Sequence, residues 1–172
     1  MTVLAFSGSL RAASATAALV RALAGLAPDG VAVHDGLGGL PLFSPDLDTA
    51  EPPPAVARLR QEVRAADAVV VCTPEYAYGM PGALKNALDW LVSSGELYGT
   101  PVAALSASPS ERGGDRALAG LRQTLAALGA AVPDRASFAV PSVTQSLDGD
   151  RVSDPDLADR LRAARAALGT AG

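Results

Sequence analysis

Apolar runs of strand length alternate with helical periodicities along the chain, and Gly, Pro and Ser clusters mark each change. Thr2–Phe6 reads as a buried strand, followed by a Ser/Gly loop and a helix from about Ser14 to Leu26. Val31–His34 is a short second strand, and residues 36–54 form a Gly/Pro-rich connection ending in Pro52-Pro53-Pro54. Proline suits a first helical turn, so a helix is expected from Pro54 to Ala66. Asp67–Cys72, with Val69, Val70 and Val71 in continuous sequence, has the pattern of a strand covered on both faces. A loop over Thr73–Pro81 leads to a helix at about Gly82–Ser93 and a strand at Val102–Ser106. The remaining expected elements are a helix at Asp115–Leu128, a strand at Ser137–Val140 and a helix at Pro155–Leu168. Five such alternations imply an α/β fold, a five-stranded parallel sheet with helices on both faces. Ligands of such sheets sit outside the carboxyl ends of the strands, which singles out loops 7–14, 73–81 and 106–114.

Length and composition narrow the class. At 172 residues and 49% apolar content the chain is expected to be one domain over 1–172. No apolar stretch approaches a membrane span, and Thr2–Phe6 is too short for the apolar region of a secretory signal, so a cytoplasmic protein without membrane insertion is expected. Cys72 is the only cysteine and His34 the only histidine, which excludes an internal disulfide and a zinc site of usual ligand count. The net charge of −4 is spread along the chain and argues against nucleic-acid binding. Thirteen arginines against the single Lys85 follow a bias toward GC-rich codons and carry no functional message.

The three loops differ in chemistry. The first, Ser7-Gly8-Ser9-Leu10-Arg11-Ala12-Ala13-Ser14, matches neither a dinucleotide fingerprint nor a Walker A loop. Its Ser7, Ser9 and Ser14 hydroxyls, with Thr16 just inside the helix, the Arg11 guanidinium and a helix N-terminus, could cradle a terminal phosphate. The plainer alternative is that Ser14 caps the helix and Arg11 is a solvated charge. The second loop, Thr73–Gly82, is stiffened by two prolines and displays Tyr76, Tyr78 and Met80, which suit a flat aromatic ligand or packing on a neighbouring subunit. The third, Ser106–Gly114, is small and polar; its backbone either approaches a ligand or forms a surface turn.

Gly8-Ser9-x-Arg11-x-x-Ser14, then Thr73-Pro74-Glu75-Tyr76, then Pro81-Gly82-x-Leu84-Lys85-Asn86-Ala87-x-Asp89-Trp90 and the Ser/Gly third loop together resemble the NADPH-dependent FMN reductase family over essentially the whole chain. The resemblance implies a flavodoxin-like fold and FMN as cofactor, with NADPH or NADH as co-substrate. It implies hydride transfer through the flavin to a small electron acceptor (a flavin, a quinone or an azo compound) by a ping-pong mechanism. No side chain would be catalytic, since the flavin carries the chemistry. Ser7, Ser9, Arg11, Ser14 and Thr16 would then hold the FMN phosphate. Pro74, Glu75, Tyr76, Ala77 and Tyr78 would border the isoalloxazine, and Ser106, Ala107 and Ser108 would close its other side. Three positions depart from the family pattern: Thr16 and Ala77 stand where asparagine is common and, more mildly, Thr100 where lysine is common.

A flavodoxin-like electron carrier without nicotinamide-dependent activity is the alternative function, although such carriers tend to be more acidic around the flavin than a second loop holding only Glu75. A phosphoacceptor receiver domain is excluded by Ser7 and Cys72 where that function needs carboxylates. Cys72 is expected to be a small buried hydrophobe, and His34 a partly exposed strand-end residue. Asp46, Asp48 and the run Asp148–Asp156 read as turn and cap chemistry. Lys85 and Asp89, four apart, can pair on one helix face or across subunits. Tyr78, Met80, Leu84, Leu88, Trp90 and Leu91 exceed what one stripe against a sheet needs, so a homodimer or homotetramer burying that helix is expected.

Overall fold

The computed structural model describes residues 1–11, 13–26 and 30–169. β1 (Val3–Ser7), β2 (Val31–His34), β3 (Ala68–Thr73), β4 (Val102–Ala107) and β5 (Ser137–Val140) form one sheet in the order β2-β1-β3-β4-β5, every pair parallel. This is the flavodoxin-like order, and its direction reverses between β1 and β3. Strand alternation sorts the core into two layers. Val3, Ala5, Val70, Cys72, Ala103 and Leu105 meet α1 (Ala15–Leu26) and α5 (Pro155–Leu168), while Leu4, Phe6, Val69, Val71, Val102 and Ala104 meet α2 (Pro54–Ala65), α3 (Gly82–Asp89) and α4 (Asp115–Ala127). β3 and β4 are buried along their whole length, which is why their sequences are continuous apolar runs rather than alternations.

The helix expected to run to Ser93 stops at Asp89. The Trp90 carbonyl accepts the buried Arg60 guanidinium, Nη2 at 2.7 Å and Nε at 3.1 Å, so a cation from α2 takes the oxygen that a further helical turn would use. Arg60 also binds Asp48 at 2.8 Å, and the Ser93 hydroxyl donates to the same carboxylate at 2.5 Å. Asp48 is therefore a structural ion-pair partner and not only a turn residue. These bonds, Ser93 first and then Arg60, hold its carboxyl below the usual carboxylate range. Asn86 completes the attachment of the 36–53 connection to α3: its Oδ1 accepts the Phe43 N–H at 2.7 Å, and its Nδ2 and the Trp90 Nε1 both donate to the Pro41 carbonyl, at 2.9 and 2.8 Å. Lys85 and Asp89 pair within the chain at 2.6 Å.

Three expectations need correction. His34 is not partly exposed: its side chain is 1% accessible, lies beside the Phe6 ring, and meets Glu62 Oε2 through Nδ1 at 2.5 Å. The apolar excess on α3 is largely illusory, since Leu84, Leu88, Trp90 and Leu91 are all buried in this chain's own core and Met80 is partly buried against it. What remains exposed is Tyr78, Val92 and Tyr98, at 70%, 60% and 81%. Finally, Asp148–Asp156 includes a small antiparallel hairpin, β6 (Leu147–Asp148) with β7 (Arg151–Val152), turning at Gly149 with φ +58. Asp154 caps α5 as expected, accepting the Asp156 and Leu157 N–H groups.

Candidate functional site

The carboxyl ends of β1, β3 and β4 bring the three loops together at the point where the strand order reverses. Loop one leaves Ser7 and passes immediately against the end of β3: the Gly8 N–H donates to the Cys72 carbonyl at 2.8 Å. A Cβ on Gly8 would lie 2.9 Å from Leu84 Cδ2 and 3.3 Å from Pro74, so a larger residue would force loop one off α3. On either side of Gly8 the hydroxyls form a relay. Ser7 Oγ lies 3.0 Å from Thr16 Oγ1, which lies 2.7 Å from Ser14 Oγ, and the Ala17 N–H reaches Ser14 Oγ at 3.4 Å. Ser14 thus takes the capping role, and Ser14 and Thr16 are buried. Ser9 Oγ accepts the Arg11 N–H at 3.2 Å and sits 3.2 Å from the Tyr76 hydroxyl, tying loop one to loop two. Arg11 is exposed and has no ion-pair partner among the described residues.

Loop two is rigid for reasons the prolines only partly announce. Tyr76 and Gly79 exchange both backbone hydrogen bonds, 2.9 and 3.0 Å, around Ala77 and Tyr78 with φ of +49 and +65. Two consecutive left-handed residues make this a type I′ turn, the geometry in which Asn or Gly is favoured and alanine is strained. Glu75 does not spend its carboxylate on the mouth: Oε2 accepts the Arg116 and Ala117 N–H groups, both at 3.0 Å, capping α4. The Arg116 guanidinium lies 4.1 Å from the Tyr78 ring centroid. Loop two is therefore clamped to α4 by one carboxylate and one cation–π contact.

In loop three, Ser106 and Ala107 are buried, and Ser106 Oγ donates to the Gly113 carbonyl at 2.8 Å. Only Ser108 of the three expected residues has an accessible side chain, and its hydroxyl donates to Ser110 Oγ at 3.0 Å. Gly113, at φ +62, has no room for a side chain, since a Cβ would lie 2.7 Å from the Pro141 nitrogen. Around these loops lie two clefts. One, of about 380 Å³, lies on the β2 side of loop one, and the other, of about 490 Å³, is lined by Glu75, Tyr78, Ser110, Arg112 and Arg116. Arg116 escaped the sequence reading, which stopped the third loop at Gly114; the signal available was the Gly113-Gly114 pair just before a helix start.

Cys72 is fully enclosed, and burial pushes its thiol up to about 12, the behaviour of an inert core residue. No group of three or more potential metal ligands exists among the described residues, and no helix among them is long and apolar enough to cross a membrane.

The sequence profile of the NADPH-dependent FMN reductases matches residues 1–145. The chain belongs to this family. An NAD(P)H-dependent FMN reductase of Pseudomonas aeruginosa is 44% identical over 126 residues, 72% of this chain and 68% of the relative. The quinone reductase of Escherichia coli is 35% identical over 176 residues, covering 98% of this chain and 94% of that protein. Among solved structures, the flavoenzyme NAD(P)H:(acceptor) oxidoreductase FerB of Paracoccus denitrificans superposes with a TM-score of 0.83 at 31% identity, over 97% of this chain and 94% of its own. For an FMN reductase, the donor set of loop one has the right character for the cofactor. A hydroxyl relay, a guanidinium without an ion-pair partner among the described residues and a helix N-terminus suit one terminal phosphate.

Proposed function

We propose that this protein is an FMN-dependent NAD(P)H oxidoreductase that passes electrons to a small flat acceptor, a quinone, an azo compound or free flavin, with ping-pong kinetics. The observation that carries the reading is the phosphate-type donor set of loop one joined by Ser9–Tyr76 to the rigid aromatic loop two, in a chain of this family. Ser7, Ser9, Arg11 and the N-terminus of α1 would hold the FMN phosphate, with Ser14 and Thr16 orienting them from beneath. Pro74, Tyr76, Ala77 and Tyr78 would border the ring system, and Ser108 its far side. Glu75, Ser106 and Ala107 act through the backbone they position. When bound, FMN supplies the hydride-accepting chemistry, so the protein needs neither a nucleophile nor a metal. Its residues fix the orientation and wall the opening with Tyr76 and Tyr78, 53% and 70% exposed, which favour flat partners.

The exposed Tyr78, Val92 and Tyr98, on the segments flanking α3, support a homodimer or homotetramer. A cytoplasmic location, where reduced nicotinamide is regenerated, fits the same reading, with residues 1–172 acting as one flavin-binding unit. The test is anaerobic mixing of the FMN-loaded protein with NADPH and with NADH, followed by a quinone. Bleaching of the flavin absorbance and its recovery on adding acceptor are expected. A flavin that neither nucleotide bleaches within minutes would overturn the reductase and favour the electron carrier.

A further inference from the structure

The ends of α1 and α5 farthest from the three loops frame another cleft, of about 410 Å³, beside the start of β1. Leu23 and Leu26 of α1 wall it on one side, and Leu161, Arg162 and Arg165 of α5 on the other. Adjoining it is an apolar void of about 10 Å³, barely room for one water, bordered by Val3, Val70, Leu105 and the same Arg165. No described residue lining the cleft is acidic. Arg165 is partly buried, its Nε is enclosed without a hydrogen-bond partner, and it forms no ion pair among the described residues. Arg162, by contrast, pairs with Asp159 at 2.7 Å. A cation in the last turn of α5 interacts favourably with the helix end, which accounts for a basic residue at this position. It does not account for the enclosure, because an arginine stem is long enough to carry its head out to water. The fold instead keeps the guanidinium in place: a Cβ on Gly30 would crowd its Nη2 at 3.2 Å.

We propose that this cleft binds an apolar monocarboxylate, an aliphatic or aryl carboxylic acid whose carboxylate pairs with Arg165 and whose body lies along Leu23, Leu26 and Leu161. Leu23 and Leu161 are buried, 5% and 0% accessible, so the cleft has an apolar floor that an apolar body extends. The volume is that of an ordinary small-molecule site, mostly apolar with one fixed polar group to orient its guest. The planar fork of a guanidinium suits the two oxygens of a carboxylate. A phosphate dianion is the poorer guest: its second charge meets no second unpaired cation, and the carbonyl ends of α1 and α5 face the same space. A neutral guest leaves Arg165 without a counter-ion. The site lies at the opposite end of α1 from loop one, so it is separate from the flavin site and does not depend on it.

Octanoate, 1-octanol and acetate, titrated by calorimetry into the full chain with and without FMN, separate the two halves of this recognition. Wild type is expected to bind a single octanoate per chain about tenfold more tightly than octanol or acetate, equally well with FMN present or absent. Arg165→Met, which keeps an unbranched stem over the void and removes the charge, should weaken octanoate about tenfold and octanol less than about twofold. Arg165→Lys, a charge without the fork, should recover part of the loss. Leu26→Ser should weaken octanoate about threefold through the apolar wall alone. Methyl NMR locates the ligand in unmutated protein, so the test survives a variant that does not fold. Octanoate must shift the Leu26 methyl resonances and leave that of Met80, in the second loop, in place. Octanol bound as tightly as octanoate, no octanoate binding, or an Arg165→Met variant within about twofold of wild type overturns the site. So does octanoate that FMN displaces or that shifts Met80 alone. A chain that binds octanoate in this way but takes up no FMN upholds the cleft and removes only the flavin reading.

Discussion

Replacing Glu75 distinguishes a structural clamp from a ligand contact. Its carboxylate accepts two amide N–H groups at the first turn of α4, each at 3.0 Å, where the helix leaves donors without intrahelical partners. Removing such a cap costs about 0.5–2 kcal/mol, and the interaction of a carboxylate with the positive end of the helix contributes about 0.3–1 kcal/mol of its own. Glu75→Ala is therefore expected to lose about 1–2.5 kcal/mol, and Glu75→Gln, which keeps an acceptor and gives up the charge, about 0.3–1 kcal/mol. For a chain of this size, each kcal/mol lowers Tm by about 2–4 °C. Urea unfolding of the apoprotein gives the free energies, with the slope unchanged because the surface exposed on unfolding is the same. FMN titration of both variants should show smaller losses in affinity than in stability, since Glu75 reaches the mouth only by holding Tyr76 and Tyr78 against α4. Unaltered stability in Glu75→Ala, combined with loss of FMN binding or NADPH turnover, would refute this reasoning and make the carboxylate a ligand group.

Ala77→Gly should raise stability by about 1 kcal/mol, because glycine occupies the left-handed region at φ +49 without the Cβ clash; an unchanged urea midpoint would contradict the type I′ turn. Arg11→Ala should weaken FMN by about 1.5–3 kcal/mol and leave riboflavin unchanged, as for a charge-assisted bond to phosphate; equal losses in fluorescence titrations would place Arg11 elsewhere. The acid limb of stability should depend on Asp48, whose carboxyl is held below its ordinary value by Ser93 and Arg60. That stabilisation is complete above the unfolded carboxyl value of about 3.9 and is lost as pH falls through the lower folded value, so Asp48→Asn should flatten the curve there. Cys72, raised to about 12, should resist alkylation at pH 8 in the folded protein and react on unfolding; rapid labelling of the native state would refute its burial.

The alternation of Val69–Val71 and its counterparts with helical stretches determined the parallel sheet, because a strand covered on both faces can only be written as a continuous apolar run. The strand ends at His34 and Val140, and the helix start at Pro155, were legible for the same local reasons: apolar runs bounded by loops, and a proline at a first turn after Asp154. The three loops and the residue types of a phosphate cradle were also visible, since turn chemistry and helix starts are local. What the tertiary structure alone decided is where each polar group spends its hydrogen bonds. Glu75 looks like a mouth residue in sequence, yet caps a helix beginning forty residues later; Ser106 looks open, yet donates inward to Gly113. Asp48 reads as a turn residue until Arg60 and Ser93 reach it from α2 and the segment after α3. His34 reads as a partly exposed strand-end residue, yet its side chain is 1% accessible and its Nδ1 meets Glu62. Side-chain hydrogen bonds and ion pairs join residues distant in sequence, and a partner across the fold leaves no periodicity by which to find it. Backbone patterns repeat along the chain and can be read from it; the commitments of individual polar side chains exist only once the chain has closed.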